Sequence, residues 1–251
     1  MKVIAVFSGK GGVGKTTVSS LLALALAEKH KVVLLDMDIQ TPSIPVMFGE
    51  DTKIKNLDLV STGYKAKGAI TLTGGMAKRT LRDLAAKVIA LEPEICIVDM
   101  PPGTNDIHMQ VCSTLKPSSS ILVVQPNRLS EEDALRACQL FLKADIPIAG
   151  VIKNMVGEVF GQSQDVEIMG LHTLAVIPLN KELANNGSAG RLHTITDNPF
   201  TEICEDIYNK AGNVKWLTSK AVIQGGISGE SLENSGTIPR TFIGLNSWEV
   251  V

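Results

Sequence analysis

The chain has 251 residues, enough for one α/β domain with a full core, and because only 4% are aromatic, aliphatic side chains must build most of that core. A formal net charge of -2 does not indicate a nucleic-acid-binding surface, although it is compatible with a local basic patch. No apolar run reaches the roughly 20 residues of a membrane span, and the N-terminus lacks the features of a secretory signal. Four widely spaced cysteines do not indicate a disulfide framework. We therefore expect a cytoplasmic protein without a membrane anchor.

Short apolar runs alternate with helix-like segments along the chain, which predicts a mostly parallel sheet with helices on both faces. The segment 130–143 begins with a sequence close to a capping box, which predicts a helix start at Ser130. Residues 49–70 show no clear pattern and are compatible with an excursion beside the sheet. The predicted strands are 2–7, 31–35, 95–98, 120–124, 146–152 and 174–177, and the predicted helices are 15–29, 76–91 and 130–143.

The composition changes near the C-terminus, which divides the chain into a predicted nucleotide-binding domain, 1–214, and a tail, 215–251. The tail is rich in glycine and serine, and helical periodicity disappears there. One interpretation is an irregular segment. The other is a short strand or partner-binding arm formed by residues 241–245.

Residues 9–16 read GKGGVGKT and match the phosphate-loop motif G-x-x-x-x-G-K-[ST], after a predicted strand and before a predicted helix. Glycines allow the backbone to turn its N–H groups toward phosphate oxygens, and a helix N-terminus favours the same anion. The motif predicts that Lys15 binds the β- and γ-phosphates of ATP and that Thr16 binds Mg²⁺. The predicted nucleotide-binding residues of this loop are Gly11, Gly12, Val13, Gly14, Lys15, Thr16 and Thr17.

A second lysine, Lys10, lies inside the loop, where an ordinary phosphate loop needs none. The run GKGGVGKTT resembles the deviant Walker A motif of the Mrp/MinD/ParA superfamily, which includes the nitrogenase iron protein. The resemblance implies an ATP-dependent homodimer in which Lys10 reaches the nucleotide of the partner subunit and assists hydrolysis. The alternative is a solvated loop lysine.

Two carboxylates, Asp36 and Asp38, follow the second predicted strand, where open α/β sheets bind ligands. In the resembling superfamily this segment is the first switch. The resemblance implies that Asp38 orients the attacking water and that Asp36 lies near the metal. Positioning of this kind suits phosphoryl transfer, which needs little covalent chemistry from the protein. The alternative for each residue is a carboxylate that caps the next turn.

Asp99 ends the apolar run 95–98, as the Walker B motif requires, and is predicted to hold Mg²⁺ through water. Gly103 follows, and its backbone N–H can contact a γ-phosphate. Because that contact exists only with a triphosphate, it can serve as a switch.

Asn154 follows another predicted strand and carries both a donor and an acceptor for a purine edge. The resemblance implies that Asn154 contacts the adenine and that Pro178, Leu179 and Asn180 line the other side of the base. Placement in a loop alone is the alternative for these residues.

The run 99–106, DMPPGTND, resembles the D-[LM]-P-P-G-T-x-D motif of Mrp/ApbC-type ATPases, which are iron–sulfur cluster carriers and scaffolds. Residues 36–43 and 177–180 resemble two further motifs of that branch. The resemblance covers about residues 1–210. It implies an ATPase that serves iron–sulfur or other metallocofactor assembly and acts on a client protein.

The chain departs from this branch at one point, because the C-x-x-C pair that holds the cluster is absent from residues 154–170. Cluster ligation needs thiolates at close spacing, so a bound iron–sulfur cluster is doubtful. We therefore predict an assembly ATPase without its own cluster ligands. The alternatives are a ParA/MinD-like partition or positioning ATPase and a module that holds nucleotide for structure. The Gly/Ser-rich tail does not fit the basic amphipathic helix of MinD-type proteins, and Lys15, Asp38 and Asp99 argue against the purely structural role.

Overall fold

The computed structural model describes residues 1–50, 52–64, 74–103, 106–162, 168 and 170–212. The tail 215–251 lies outside these residues, so its two interpretations and the domain boundary stay predictions. Within the described residues no helix combines the length and apolarity that a bilayer crossing requires. The strands are β1 Lys2–Phe7, β2 Val32–Asp36, β3 Leu57–Val60, β4 Ile95–Asp99, β5 Ser119–Val124, β6 Ile148–Val156 and β7 Thr173–Pro178. The helices are α1 Lys15–Leu26, α2 Ile44–Phe48, α3 Gly74–Ala90, α4 Asp106–Leu115, α5 Arg128–Lys143, α6 Lys181–Ser188 and α7 Cys204–Gly212, with a 3₁₀ helix at Leu192–Thr194.

The seven strands of the described residues form one sheet in the order β3-β2-β4-β1-β5-β6-β7, and every neighbouring pair is parallel. This confirms the predicted fold class. Because all strands run the same way, their C-terminal ends lie along one edge, which we call the carboxyl edge. The register places Asp36 directly beside Asp99 at this edge. In open α/β sheets, ligands bind at the carboxyl edge.

Alternate residues of each strand bury against opposite helix layers. Val3, Ala5 and Phe7 of β1 pack in the core that contains α3, α4 and α5, and the Phe7 ring stacks on Phe141 with centroids 3.9 Å apart. Ile4 and Val6 pack in the core that contains α1, α2, α6 and α7. Both cores are mainly aliphatic, as the low aromatic content requires. Two covered faces stabilise the sheet and leave its carboxyl edge to carry polar groups.

The structure differs from the predicted elements at β3, at the start of α5 and at β6. Residues 57–60, which belong to the segment 49–70 without a clear pattern, form β3 because they pair with β2 at the sheet edge. The start of α5 at Ser130 was wrong: the helix begins at Arg128, because the Asn127 side chain caps it by accepting a hydrogen bond from Ser130 N. β6 begins two residues later than predicted and extends to Val156, where β7 pairs with it.

Candidate functional site

The loop between β1 and α1 has the backbone shape that a phosphate requires. Gly12 and Gly14 have φ of 81° and 82°, in the left-handed region that favours glycine. A β-carbon at Gly14 would also lie 2.2 Å from Asn154 Nδ2. Gly14 is the N-cap of α1 and supplies no side-chain acceptor, so the first N–H groups of the helix keep their capacity for an anion. This loop therefore fits the phosphates of a nucleotide.

Lys15 and Thr16 converge on one carboxylate. Lys15 Nζ lies 3.1 Å from Asp99 Oδ1, and Thr16 Oγ1 donates to Asp99 Oδ2 at 2.6 Å. Ser19, one helical turn after Lys15, also donates to Asp99 Oδ1, at 3.1 Å. Asp99 is fully buried and Lys15 is only 8% exposed. The loop, the helix and the end of β4 thus meet at a single charged centre.

Asp36 is held by two backbone donors of the segment that follows it and by one side-chain donor after β3. Asp36 Oδ1 accepts from Asp38 N at 3.1 Å, and Oδ2 accepts from Ile44 N at 3.2 Å and from Ser61 Oγ at 3.1 Å. Burial and, second, the adjacent negative charge of Asp99 raise the pKa of Asp36 to about 7, although these three hydrogen bonds lower it. Two buried carboxylates side by side favour a cation, and the hydroxyl and carboxylate oxygens of Thr16 and Asp99 are ligands suited to Mg²⁺.

The second carboxylate of the switch segment, Asp38, is half-buried and caps its own turn. Its oxygens accept from Thr41 N at 3.2 Å and from Thr41 Oγ1 at 2.9 Å. This is the capping contact that the sequence left open, and it does not exclude a second role, because Asp38 lies at the carboxyl edge near Asp36. Its catalytic role stays a prediction.

The remaining residues predicted on the loop side also reach the carboxyl edge. Lys10 is half-buried, and in the described part of the chain its ammonium makes no hydrogen bond or ion pair. Thr17 lies in the first turn of α1, and Gly103 follows β4 with φ of 82°. The structure therefore brings these residues to one edge without testing their roles.

On the other side of the loop, Asn154 is 6% exposed and donates from Nδ2 to the Val13 carbonyl at 2.8 Å. The Asn180 side chain caps α6 by accepting from Glu182 N and Leu183 N. Pro178 ends β7 at the same edge, and Leu179 is exposed. The predicted adenine contacts stay predictions, but two of the side chains already have structural partners.

Sequence reasoning missed three polar residues of this site: Ser19, Ser61 and Gln125. Gln125 follows β5 and donates to the Gly12 carbonyl at 3.3 Å. The sequence could have predicted Gln125, because it follows a buried parallel strand directly, and a polar residue at the end of such a strand is the pattern that identified Asp99. Ser19 lies four residues after Lys15, on the same side of a helix. Ser61 had no local signal, since it follows the strand β3 that the pattern did not predict.

The four cysteines are buried and lie on four different elements: Cys96 on β4, Cys112 on α4, Cys138 on α5 and Cys204 on α7. Burial raises the pKa of the Cys96 and Cys138 thiols to about 12 and that of Cys112 to about 11, and it also raises the pKa of Cys204. Among the described residues no three His, Cys, Asp or Glu side chains form a group that could hold a metal ion. These thiols do not fit a cluster, because ligation requires accessible thiolates at close spacing.

The chain is similar to curated iron-sulfur cluster carrier proteins. An iron-sulfur cluster carrier protein of Rickettsia bellii is 35% identical over 201 residues, which cover 73% of this chain but only 63% of that protein. An iron-sulfur cluster carrier protein of Pseudomonas fragi is 31% identical over 243 residues, covering 84% of this chain and 85% of that protein.

Solved structures show the same fold. The septum site-determining protein MinD of Pyrococcus horikoshii OT3, complexed with Mg-ADP, matches with a TM-score of 0.68 at 21% identity, covering 84% of this chain and 97% of that one.

A family model also matches the chain. It is described as ParA, NUBPL iron-transfer P-loop NTPase, and it matches residues 1–212, which include the loop, Asp36, Asp99 and Asn154. The chain therefore belongs to the ParA-type family of NUBPL iron-transfer P-loop NTPases.

Proposed function

We propose that the chain is a Mg²⁺-dependent ATPase of the cytoplasm that acts as a homodimeric switch in iron–sulfur or other metallocofactor assembly. The observation that carries this proposal is the convergence of Lys15, Thr16 and Asp99 beside a glycine loop of phosphate-binding shape. The carrier relatives support the assembly role by their names, and they make a client protein the expected partner.

Each residue of the carboxyl edge has a role in the proposed reaction. The loop N–H groups and Lys15 bind the phosphates, so Lys15 exchanges its contact with Asp99 for a phosphate oxygen. Thr16 and Asp99 would hold Mg²⁺, which would supply positive charge to the phosphates. Asp38 orients the attacking water, and the Gly103 N–H detects the γ-phosphate. Asp36 keeps the switch segment folded through Ile44 and Ser61 and, beside Asp99, lies near the metal.

Dimerisation is supported by the position of Lys10 and by apolar surface at the same edge. The loop already has Lys15 for its own phosphates, so the uncommitted Lys10 ammonium is most useful to a nucleotide on a facing subunit. Val46 on α2, Val159 after β6 and Leu179 after β7 are 63%, 72% and 46% exposed. An isologous contact at this edge would cover these side chains and place each Lys10 opposite the other nucleotide.

The Lys10→Ala variant should retain ATP affinity as a monomer but lose the ATP-dependent dimer and most hydrolysis. ATP offsets the repulsion between two lysines across the interface, so dimerisation and triphosphate binding are linked. Light scattering with Mg-ATP and with Mg-ADP measures the dimer, and phosphate release measures hydrolysis. ADP, which lacks the γ-phosphate, should support the dimer less well.

The matched control for this test is Lys87→Ala, because Lys87 is an exposed lysine near the end of α3. It should dimerise and hydrolyse ATP as the native chain does. If Lys10→Ala also does so, Lys10 is a solvated loop lysine and the proposed cross-subunit role is wrong.

Protein purified without oxygen should contain far less iron and sulfide than one cluster per dimer. The reason is that all four thiols are buried and their pKa values are raised, which disfavours the thiolate that iron binds. Colorimetric iron and sulfide determination, together with the visible absorption spectrum, gives the measurement. A stoichiometric [4Fe–4S] cluster would contradict the absence of cluster ligands. Cys112→Ser, Cys138→Ser and Cys204→Ser would then identify the cysteines that meet across the dimer.

A further inference from the structure

Three carbonyl oxygens of the phosphate loop accept hydrogen bonds from side chains. The Lys10 carbonyl accepts from Ser8 Oγ at 2.9 Å, the Gly12 carbonyl from Gln125 Nε2 at 3.3 Å, and the Val13 carbonyl from Asn154 Nδ2 at 2.8 Å. The next carbonyl, that of Gly14, accepts the first hydrogen bond of α1 from Val18 N. We call Ser8, Gln125 and Asn154 the carbonyl clamp.

The clamp determines where the loop N–H groups point. In a planar trans peptide the C=O and the following N–H point in opposite directions. Holding the carbonyls of Lys10, Gly12 and Val13 therefore fixes the direction of the N–H group of each following residue. Phosphate loops bind anions through backbone N–H groups. Without the clamp, a glycine-rich loop can rotate these peptides and present carbonyl oxygens to the phosphates.

Gln125 reaches the loop from the end of β5, and its own neighbours hold it in place. Its backbone N–H donates to Ser130 Oγ, and its carbonyl accepts from Asn127 N at the N-terminus of α5. Its second amide hydrogen is used by Met155, whose Sδ lies 3.1 Å from Nε2. The Gln125 side chain is only 8% exposed. A carboxamide held in this way meets the requirement that a positioning group be fixed by its own neighbours.

We propose that Gln125, together with Asn154 and Ser8, is a positioning residue that preorganises the phosphate loop for nucleotide. This inference rests on the proposed ATP-binding function and deepens it by assigning a role to a residue outside the loop motif. The clamp acts on the loop peptides and not on the reacting atoms. Its loss should therefore weaken nucleotide binding more than it slows the chemical step.

The Gln125→Leu variant tests this role, because leucine has a similar volume and no donor. Its Kd for both ADP and ATP should rise about 3- to 10-fold, the usual range for one lost hydrogen bond, and KM should rise while kcat stays within about twofold. Gly12 is exposed, so water can satisfy its carbonyl and the melting temperature without nucleotide should change little. The matched control is Gln139→Leu, the same change at an exposed position of α5.

The Gln125→Glu variant adds a second measurement, the pH dependence of nucleotide affinity, which a purely structural role of Gln125 would not change. A protonated glutamic acid can donate to the Gly12 carbonyl, whereas the ionised form repels it. The ordinary pKa of a glutamic acid is about 4.3, and burial at this position raises it. Relative to the native chain, the nucleotide affinity of this variant should therefore fall as pH rises from about 4 to 7.

The outcomes separate the inference from the proposed function. If the native chain binds ATP and both Gln125 variants bind it equally well at every pH, the clamp does not position the loop. If the native chain binds neither ATP nor ADP, the proposed function itself is wrong and the inference falls with it. Weaker binding by Gln125→Leu together with the pH-dependent loss in Gln125→Glu is the result we expect.

Discussion

Lys15→Ala should abolish measurable ATP binding, with a loss of at least about 100-fold in affinity. A hydrogen bond to a charged group contributes about 1.5–3 kcal/mol, and Lys15 lies in a largely buried site where water compensates poorly for its loss. Its removal also takes away the positive charge beside the buried Asp99 carboxylate, so the site offers the phosphates less positive charge. Calorimetric titration with ATP and with ADP, each with Mg²⁺, measures the effect.

Two controls keep this result interpretable. Lys87→Ala removes an exposed lysine and should bind ATP normally. The circular dichroism spectrum and melting curve of Lys15→Ala show whether the fold survives the unpaired Asp99 carboxylate. A folded Lys15→Ala variant with native ATP affinity would overturn the assignment of the loop as the nucleotide site.

Asp38→Ala should bind ATP but hydrolyse it about 10²- to 10⁴-fold more slowly, the usual contribution of a group that positions or activates water. The carboxylate is half-buried at the carboxyl edge, close to Asp36 and outside the loop that binds phosphates. Single-turnover hydrolysis of radiolabelled ATP measures the rate, and equilibrium binding of ATP in the same variant confirms that the site is intact. A decrease of less than about tenfold means that Asp38 does not orient the water.

The structure makes a second variant necessary, because Asp38 also caps the turn at Thr41. Asp38→Asn keeps a carbonyl oxygen that can accept from Thr41 N but loses the negative charge. If the charge orients water, Asp38→Asn should be nearly as slow as Asp38→Ala. If the carboxylate only holds the turn, Asp38→Asn should retain most of the activity.

The local sequence pattern was sufficient to predict much of the fold of this protein. The β1–loop–α1 unit is predictable because one short motif contains the glycines, the helix start and the charged side chain. Asp36, Asp99 and Asn154 were predicted as site residues because open α/β sheets bind ligands at the C-terminal ends of their strands. The same rule, applied after β5, would have found Gln125. Alternation of apolar strands with helices was enough to predict the parallel sheet.

Other features depend on contacts between segments that are distant along the chain. Residues 57–60 are too short and too ordinary to predict as a strand, and they form β3 because β2 offers an unpaired edge. That pairing brings the Ser61 hydroxyl within hydrogen-bond distance of Asp36, 25 residues away. Asp36 therefore connects the end of β3 to the switch segment. Asn127, and not Ser130, caps α5, because the Asn127 side chain accepts a hydrogen bond from Ser130 N. Sequence spacing alone did not distinguish these two candidate caps.

The sequence by itself therefore determined the fold class, the phosphate loop and the acidic residues at the ends of β2 and β4, because each follows from short-range periodicity and motif spacing. Only the tertiary structure decided which donors hold Asp36, which side chains clamp the carbonyls of Gly12 and Val13, and how deeply the four cysteines are buried. These depend on strand order, which places β4 and β5 on either side of β1 and β6 beyond β5. Strand order is set by the packing of the whole chain, because each segment must bury its apolar face against others far away in sequence.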